Sequence, residues 1–309
     1  IQVVEKDRVV RPAKVEVVER VRLGKPTKAV RIELERPRDL VALKKAVREI
    51  PKTEALYGFD IPVSKQYLIE YGLKPMGGIE AEIDSKTREL LSTPKPVEIP
   101  LPKLNIMSFD IEVYNPAGSP RPDRDPILMI SLAGADGFRK VLTWKRDTPK
   151  LDFVEVVEDE REMIKRFVQL VEERDVDILL GYNTDFFDFP YLKERAYLLK
   201  VKLALGRDGS EVISKRRRFA TAARIRGRIH IDVFAIVSFL ATIGNIRLIH
   251  YTLEDVYRYI AGKEKPDFEF TRFVEAWEQG GELWERLLKY CLSDAEATLE
   301  LGLEFLPLF

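Results

Sequence analysis

Apolar side chains recur along the chain with two periods, and the switches between them outline its elements. From Val15 to Glu35, Val, Leu and Ile alternate with charged residues around Gly24-Lys25-Pro26, the pattern of two half-exposed strands meeting at a turn. The period changes at Leu40 to Ile50. There Leu40, Leu43, Ala46, Val47 and Ile50 recur at helical spacing behind Asp39, a capping residue type. A second short helix is predicted over Pro62 to Tyr71, and a strand and turn over Ile79 to Leu91. Pro94, Pro96, Pro100 and Pro102 then follow closely. Proline fixes φ and removes a backbone donor, so this stretch reads as a linker without regular structure. The boundary falls there, giving domains of residues 1–98 and 99–309.

The second domain opens on Leu104 to Glu112, an apolar run of strand formers. Ile127 to Gly134 and Phe138 to Trp144 add two strands around Ala135-Asp136-Gly137, whose Asp-Gly favours a tight hairpin. Glu160 to Arg174 has the pattern of an amphipathic helix, Asp177 to Tyr182 of a short buried strand, and Phe187 to Lys200 of another helix. Val212 to Arg228 reads as a basic hairpin, Ile229 to Phe234 as a last strand, and Glu282 to Leu306 as a long helix. A meander followed by strand–helix alternation implies a mixed α/β sheet flanked by helices. The first domain is then a smaller α+β unit.

Composition narrows the setting. The 51 basic and 51 acidic residues cancel, so net charge argues for no nucleic-acid partner, and any basic surface must be local. Cys291 is the only cysteine. An internal disulfide and a cysteine-ligated zinc site are thereby excluded, and a reducing, cytoplasmic setting is expected. No secretory signal opens the chain. The longest uncharged apolar run, Val233 to Ile246, is shorter than the roughly 20 residues of a membrane span and is predicted to be a buried helix. Charged residues at 33% with asparagine only at 105, 115, 183 and 245 lean toward a thermophilic source. A first residue Ile1 in place of methionine is expected of a processed or trimmed piece of something longer.

The chemistry begins at Asp110 and Glu112. In a strand they share one face while Phe109 and Ile111 take the other. Like charges that close demand neutralisation, and a hard divalent cation with oxygen ligands supplies it; the alternative is a solvated strand end. Asp188 sits where a strand gives way to a helix, the kind of place where ligands bind in such sheets. Asp185 suits a capping role better. Phe186, Phe187 and Phe189 around it read first as core, with base stacking as the second reading. Tyr290 and Asp294 are four apart on a helical stretch, so phenol and carboxylate lie on one face. Lys215 to Arg218 and Arg224 to Arg228 can hold a phosphate backbone or form a solvated loop. His230 and His250 are single and are read as structural.

Together these pieces resemble the three exonuclease motifs of family B DNA polymerases, archaeal ones especially. Phe109-Asp110-Ile111-Glu112 is similar to the first, Tyr182-Asn183 with Phe187-Asp188 to the second, and Tyr290 with Asp294 to the third, in the family's order. The likeness extends to Ile127-Leu128-Met129-Ile130-Ser131, Gly227 to Asp232, and Phe59-Asp60-Ile61-Pro62. The resemblance implies a ribonuclease H-like fold and a 3′-to-5′ proofreading exonuclease. Asp110, Glu112, Asp188 and Asp294 would hold two Mg²⁺ ions, Mn²⁺ being able to substitute, and Tyr290 would orient the attacking water. A related class places histidine five residues before the last aspartate; here that residue is Lys289. Asn183, Phe187, Arg216, Arg217 and Arg218 would touch the substrate, a single-stranded 3′ end of primer-template DNA. The polymerase motifs are expected beyond Phe309, in cis or on a separate subunit, so this piece alone cannot polymerise. The expected location is cytoplasmic and nucleoid-associated. A ribonuclease with the same four acids, and a non-catalytic DNA-binding scaffold, are the alternatives.

Overall fold

A computed structural model describes residues 3–5, 8–51, 53–75, 77–87, 89–100, 102–116, 118–217 and 220–308. The chain forms two compact units, Ile1–Pro102 and Lys103–Phe309. In the first, β1 (Val3–Glu5) pairs antiparallel with β2 (Arg8–Val10), and β3 (Lys14–Arg22) with β4 (Lys25–Glu33). Leu23 and Gly24 make the β3–β4 turn, both with positive φ. Helices α1 (Leu40–Arg48) and α2 (Val63–Glu70) follow, and β5 (Gly78–Glu80) pairs with β6 (Lys95–Val97). The prolines of that last stretch therefore do not exclude regular structure. Pro96 is accommodated because β5 and β6 form an isolated two-stranded ribbon, in which each strand is an edge and needs donors on one side only.

The second unit is built on a six-stranded sheet. The strands β7 (Ile106–Val113), β8 (Ile127–Gly134) and β9 (Arg139–Thr143) form the antiparallel meander, with Gly137 at φ 94° in the Asp-Gly turn. β10 (Val154–Val156), which the sequence pattern did not mark, adds parallel to β9. Helix α3 (Glu160–Glu173) returns the chain to β11 (Ile178–Gly181), parallel to β7. Helix α4 (Asp188–Leu198) and the hairpin of β12 (Ile213–Arg217) and β13 (Ala220–Arg224) lead to β14 (Ile229–Asp232), parallel to β11. Sheet order is β10-β9-β8-β7-β11-β14. Helices α5 (Val233–Thr242), α6 (Leu253–Ala261), α7 (Phe273–Gln279) and α8 (Gly281–Phe305) complete the unit.

Each face of the sheet buries a different core. Met107, Phe109, Ile111 and Val113 of β7 pack with Phe167 of α3 and Phe189 and Leu192 of α4. On the opposite face α8 lies across β7, β8 and β11. Its Trp284, Leu287, Leu288 and Cys291 pack on Leu128 and Met129, and its Ala295 and Leu299 on Leu180. Gly302 permits that approach, since a Cβ there would fall 2.4 Å from Leu180 Cδ1. Helix α5 departs from the buried helix expected of its apolar run. Val233 and Val237 are buried, but Phe239 is 52% exposed and Ile243 just beyond the helix 54%, because α5 packs along one stripe and not between layers.

An ion pair sets α4 in place. Glu160 accepts from Arg195 Nε at 2.8 Å and from the Ile127 N–H at 2.8 Å, and Arg195 also donates to the Pro122 carbonyl at 2.8 Å. Both side chains are almost wholly buried. Removing one partner leaves the other charge uncompensated, so Glu160→Ala is expected to cost about 3–5 kcal/mol in urea unfolding. A loss under about 1 kcal/mol, the range of exposed pairs, would contradict this role.

Candidate functional site

Strand alternation puts Ser108, Asp110 and Glu112 on the face of β7 that meets α8, while Phe109 and Ile111 are buried on the other. Ser108 Oγ donates to the Ala295 carbonyl of α8 at 2.6 Å and pins helix to strand beside the acids. The β7–β8 register shifts between Glu112 and Val113. Such bulges bend a strand and redirect its side chains next to sites.

Helix α8 supplies the partners. Tyr290 and Asp294 are one turn apart on the helix, and each shifts the other's ionisation. Carboxylate oxygens of Asp110, Glu112 and Asp294 all lie within 4.8 Å of one another. Asp188, at the first turn of α4, accepts from the Ile111 N–H at 3.2 Å, between the two β7 acids. Three acids of the motif reading thus meet from β7 and α8, with the Tyr290 phenol on the same helix face as Asp294, while Asp188 of α4 is held beside them on the β7 backbone and not within that group.

A fourth element arrives that sequence reasoning missed. Lys265, in the connection between α6 and α7, forms an ion pair with Asp294, and its ammonium lies 4.1 Å from the centre of the Tyr290 ring. Its side chain is only 5% exposed, so it is committed to the site. The signal was faint: Lys263 and Lys265 alternate in an irregular stretch, and they reach Glu300 and Asp294, six residues apart on α8.

The electrostatics follow from crowding in a low-dielectric pocket. Burial first, then the Asp188, Glu112 and Asp294 carboxylates, push Asp110 well above the usual carboxylate range. Glu112 rises to about 8 through burial and Asp294. Asp188 rises to about 8 through burial, opposed by the N–H of Ile111. Asp294 is raised by burial although Lys265 and Tyr290 pull it down. Burial and the neighbouring acids also push the Tyr290 phenol upward, so it stays protonated as a donor. Oxygen-only donors at this density fit a hard divalent cation, and the Lys265 ammonium already against Asp294 marks the demand for positive charge. The cluster can hold metal ions.

Phe187 is half-buried against the core and stacks on Tyr191 at 5.5 Å, whereas Phe186 is 55% exposed. The phenylalanines thus divide, with Phe189 alone fully buried. Asn183 adopts φ 63° and receives the Phe186 and Phe187 N–H groups on its carbonyl. Asp185 does not cap α4, which has no side-chain cap; it accepts from the Ala223 N–H of β13 at 2.6 Å. Arg218 lies outside the described residues, as do the side chains of Arg216 and Arg217. Arg228 is not free for a phosphate: its guanidinium is buried and donates to the carbonyls of Leu205 and Val176. Lys289 pairs with Glu285 at 2.6 Å on the exposed side of α8.

A mixed sheet whose central strand and a helix laid across it gather carboxylates beside a buried lysine defines an α/β protein with a cation-demanding acidic centre. The family described as DNA polymerase family B, exonuclease domain, matches residues 54–256, and the chain belongs to it. Among relatives, DNA polymerase 1 of Pyrococcus abyssi is 40% identical over 301 residues, 97% of this chain and 35% of that protein. The DNA polymerase of Thermococcus kodakarensis is 39% identical over 300 residues, which cover 16% of it. The structure of the family B DNA polymerase from the hyperthermophilic archaeon Pyrobaculum calidifontis superposes with a TM-score of 0.75 at 30% identity, covering 96% of this chain and 38% of that one. The chain thus spans about a third of the Pyrococcus abyssi protein. Among the described residues no helix is long and apolar enough to cross a membrane.

The raised acids make stability depend on pH. Between the unfolded and folded pKa values the folded state binds protons that the unfolded chain has released, so stability falls as pH rises. That window runs from 4.5 to about 8 for Glu112 and from 3.8 to about 8 for Asp188. His230, lowered by burial from 6.5 to about 4, contributes the opposite slope below 6.5 only. The metal-free Tm is expected to fall between about pH 6.5 and 8, and saturating Mg²⁺ to raise it more at the upper end. A metal increment that does not grow with pH would contradict protonated acids in the cation-free centre.

Proposed function

We propose that this chain is a metal-dependent 3′-to-5′ exonuclease acting on single-stranded or frayed DNA ends, the proofreading portion of a family B DNA polymerase. The convergence of Asp110, Glu112 and Asp294 within 4.8 Å, with Asp188 anchored to the Ile111 N–H, carries this reading. In it the four acids would hold two Mg²⁺ ions, for which Mn²⁺ could substitute. When bound, the ions supply Lewis-acid stabilisation of the attacked phosphate and lower the pKa of water.

This chain's own residues do the rest. Tyr290, held as a neutral phenol, orients the attacking water by hydrogen bond and is no base. Lys265, against Asp294 until a cation takes that carboxylate, brings a positive charge beside the Tyr290 ring, suited to the charge that grows on the phosphate oxygens. Water forms the new bond to phosphorus and releases a proton to solvent, the bond to the 3′ oxygen breaks, and that oxygen takes a proton from solvent. A 5′-mononucleotide leaves. Asn183, Phe187 and Arg216 to Arg218 are proposed to contact the strand, with Phe187 offering a ring edge at most because it is already packed on Tyr191. The polymerase portion is proposed to act in cis or as a separate subunit, in the cytoplasm at the nucleoid.

Digestion of matched single-stranded DNA and RNA oligomers tests the assignment. DNA is expected to be shortened from its 3′ end in Mg²⁺ and not in EDTA. Asp110→Ala is expected to lose about 10³-fold or more, since it removes several kcal/mol of stabilisation, and Lys265→Met about 10²-fold. Faster loss of RNA would favour a ribonuclease of the same four-acid class, and full activity in Asp110→Ala would sink the reading.

A further inference from the structure

Behind the loop that delivers Asp188 lies a set of buried polar groups that the proposed chemistry does not use. Asp232, at the end of β14, is 5% exposed. Its Oδ1 accepts from the Asn183 N–H at 2.8 Å and the Phe234 N–H at 3.0 Å, and its Oδ2 from the Asp185 N–H at 3.0 Å. Both oxygens are thereby taken by backbone donors, which leaves Asp232 a clamp and not a further metal ligand. Asp185, also buried, reaches the other way, to the Ala223 N–H at 2.6 Å.

Two neighbours fill the space between. His230 Nε2 is 3.0 Å from Thr184 Oγ1, its Nδ1 is 3.5 Å from Asp185 Oδ1, and its ring stands edge-on to Phe189 at 4.8 Å. Thr184 is fully buried and packs where a Cβ on residue 181 would sit, 2.1 Å from Thr184 Cγ2. Only glycine at 181 lets the loop turn this tightly. Asn183 pays for its left-handed φ with the bond to Asp232. A buried carboxylate is costly unless hydrogen-bonded, and charge-assisted bonds to backbone N–H are the strong kind. Loop 182–187 is therefore over-determined, and Asp188 begins α4 directly after it.

We propose that Asp232 and Asp185 are positioning residues for the acidic centre: they clamp the loop from behind, Asp232 to β14 and Asp185 to β13 of the basic hairpin, and so fix where Asp188 enters. The activity consequence rests on the exonuclease reading; the metal-binding consequence does not.

The test compares Asp185→Ala, Asp185→Asn and Asp232→Ala by Mn²⁺ binding without DNA, followed as loss of the free-ion paramagnetic signal. Single-turnover cleavage of single-stranded DNA across Mg²⁺ concentrations is measured beside it. Losing an outer hydrogen-bonding partner of a metal site costs about 10–100-fold in metal affinity or activity. Asp185→Ala and Asp232→Ala are expected in that range for half-saturating Mn²⁺ and for the single-turnover rate. Asp185→Asn, which keeps the acceptor for Ala223, is expected to restore both to within about threefold. If Asp232→Ala loses cooperative unfolding, the Asp185 pair decides. Mn²⁺ binding of Asp185→Ala within about twofold of the parent, or Asp185→Asn as weak as Asp185→Ala, would overturn the proposal. A parent chain that binds Mn²⁺ but cleaves no DNA would sink the nuclease reading instead, and the Mn²⁺ comparison would still decide this one.

Discussion

Carboxylates held together out of water repel one another and lose hydration, and the second unit is built around that cost. Asp110 and Glu112 share one face of β7, Asp294 faces them from α8, and Asp188 reaches the backbone between them. Without cations the acids respond by holding protons, and Lys265 neutralises part of the charge at Asp294. No folding advantage follows from such a cluster. Its arrangement makes physical sense as a place where positive charge is to be bound.

The surrounding structure works against this repulsion. Ser108 ties β7 to α8, and the Glu160–Arg195 pair ties α4 to α3 and β8. Two apolar cores on opposite faces of the sheet supply the burial that offsets the crowded acids. Each carboxylate comes from an element that is fixed elsewhere along its length. The site is thus assembled by rigid pieces and not by a loop free to relax away.

How far the sequence could be read follows from how local each feature is. The alternation in Phe109-Asp110-Ile111-Glu112 and the spacing of Tyr290 and Asp294 obey the strand and helix periods, so their facing directions were legible. Lys265 obeys no period, and nothing local distinguishes it from Lys263. Asp185 looked like a helix cap because caps are the common use of such a residue, but its partner is Ala223, 38 residues away. The apolar run of α5 suggested burial, yet hydropathy does not say how many faces a helix covers. β10 is three residues long, too short to carry a pattern. Pro96 suggested a linker and instead sits on a ribbon edge.

The claim at the centre is that acids from β7 and α8 enclose one cation-binding centre, with Asp188 of α4 held beside it. Crystals soaked in Mn²⁺ and measured at the manganese absorption edge test it directly. The account predicts anomalous density among the Asp110, Glu112 and Asp294 carboxylates, with Lys265 displaced from Asp294. Manganese bound elsewhere, with these carboxylates bare and the Lys265–Asp294 pair intact, would contradict it.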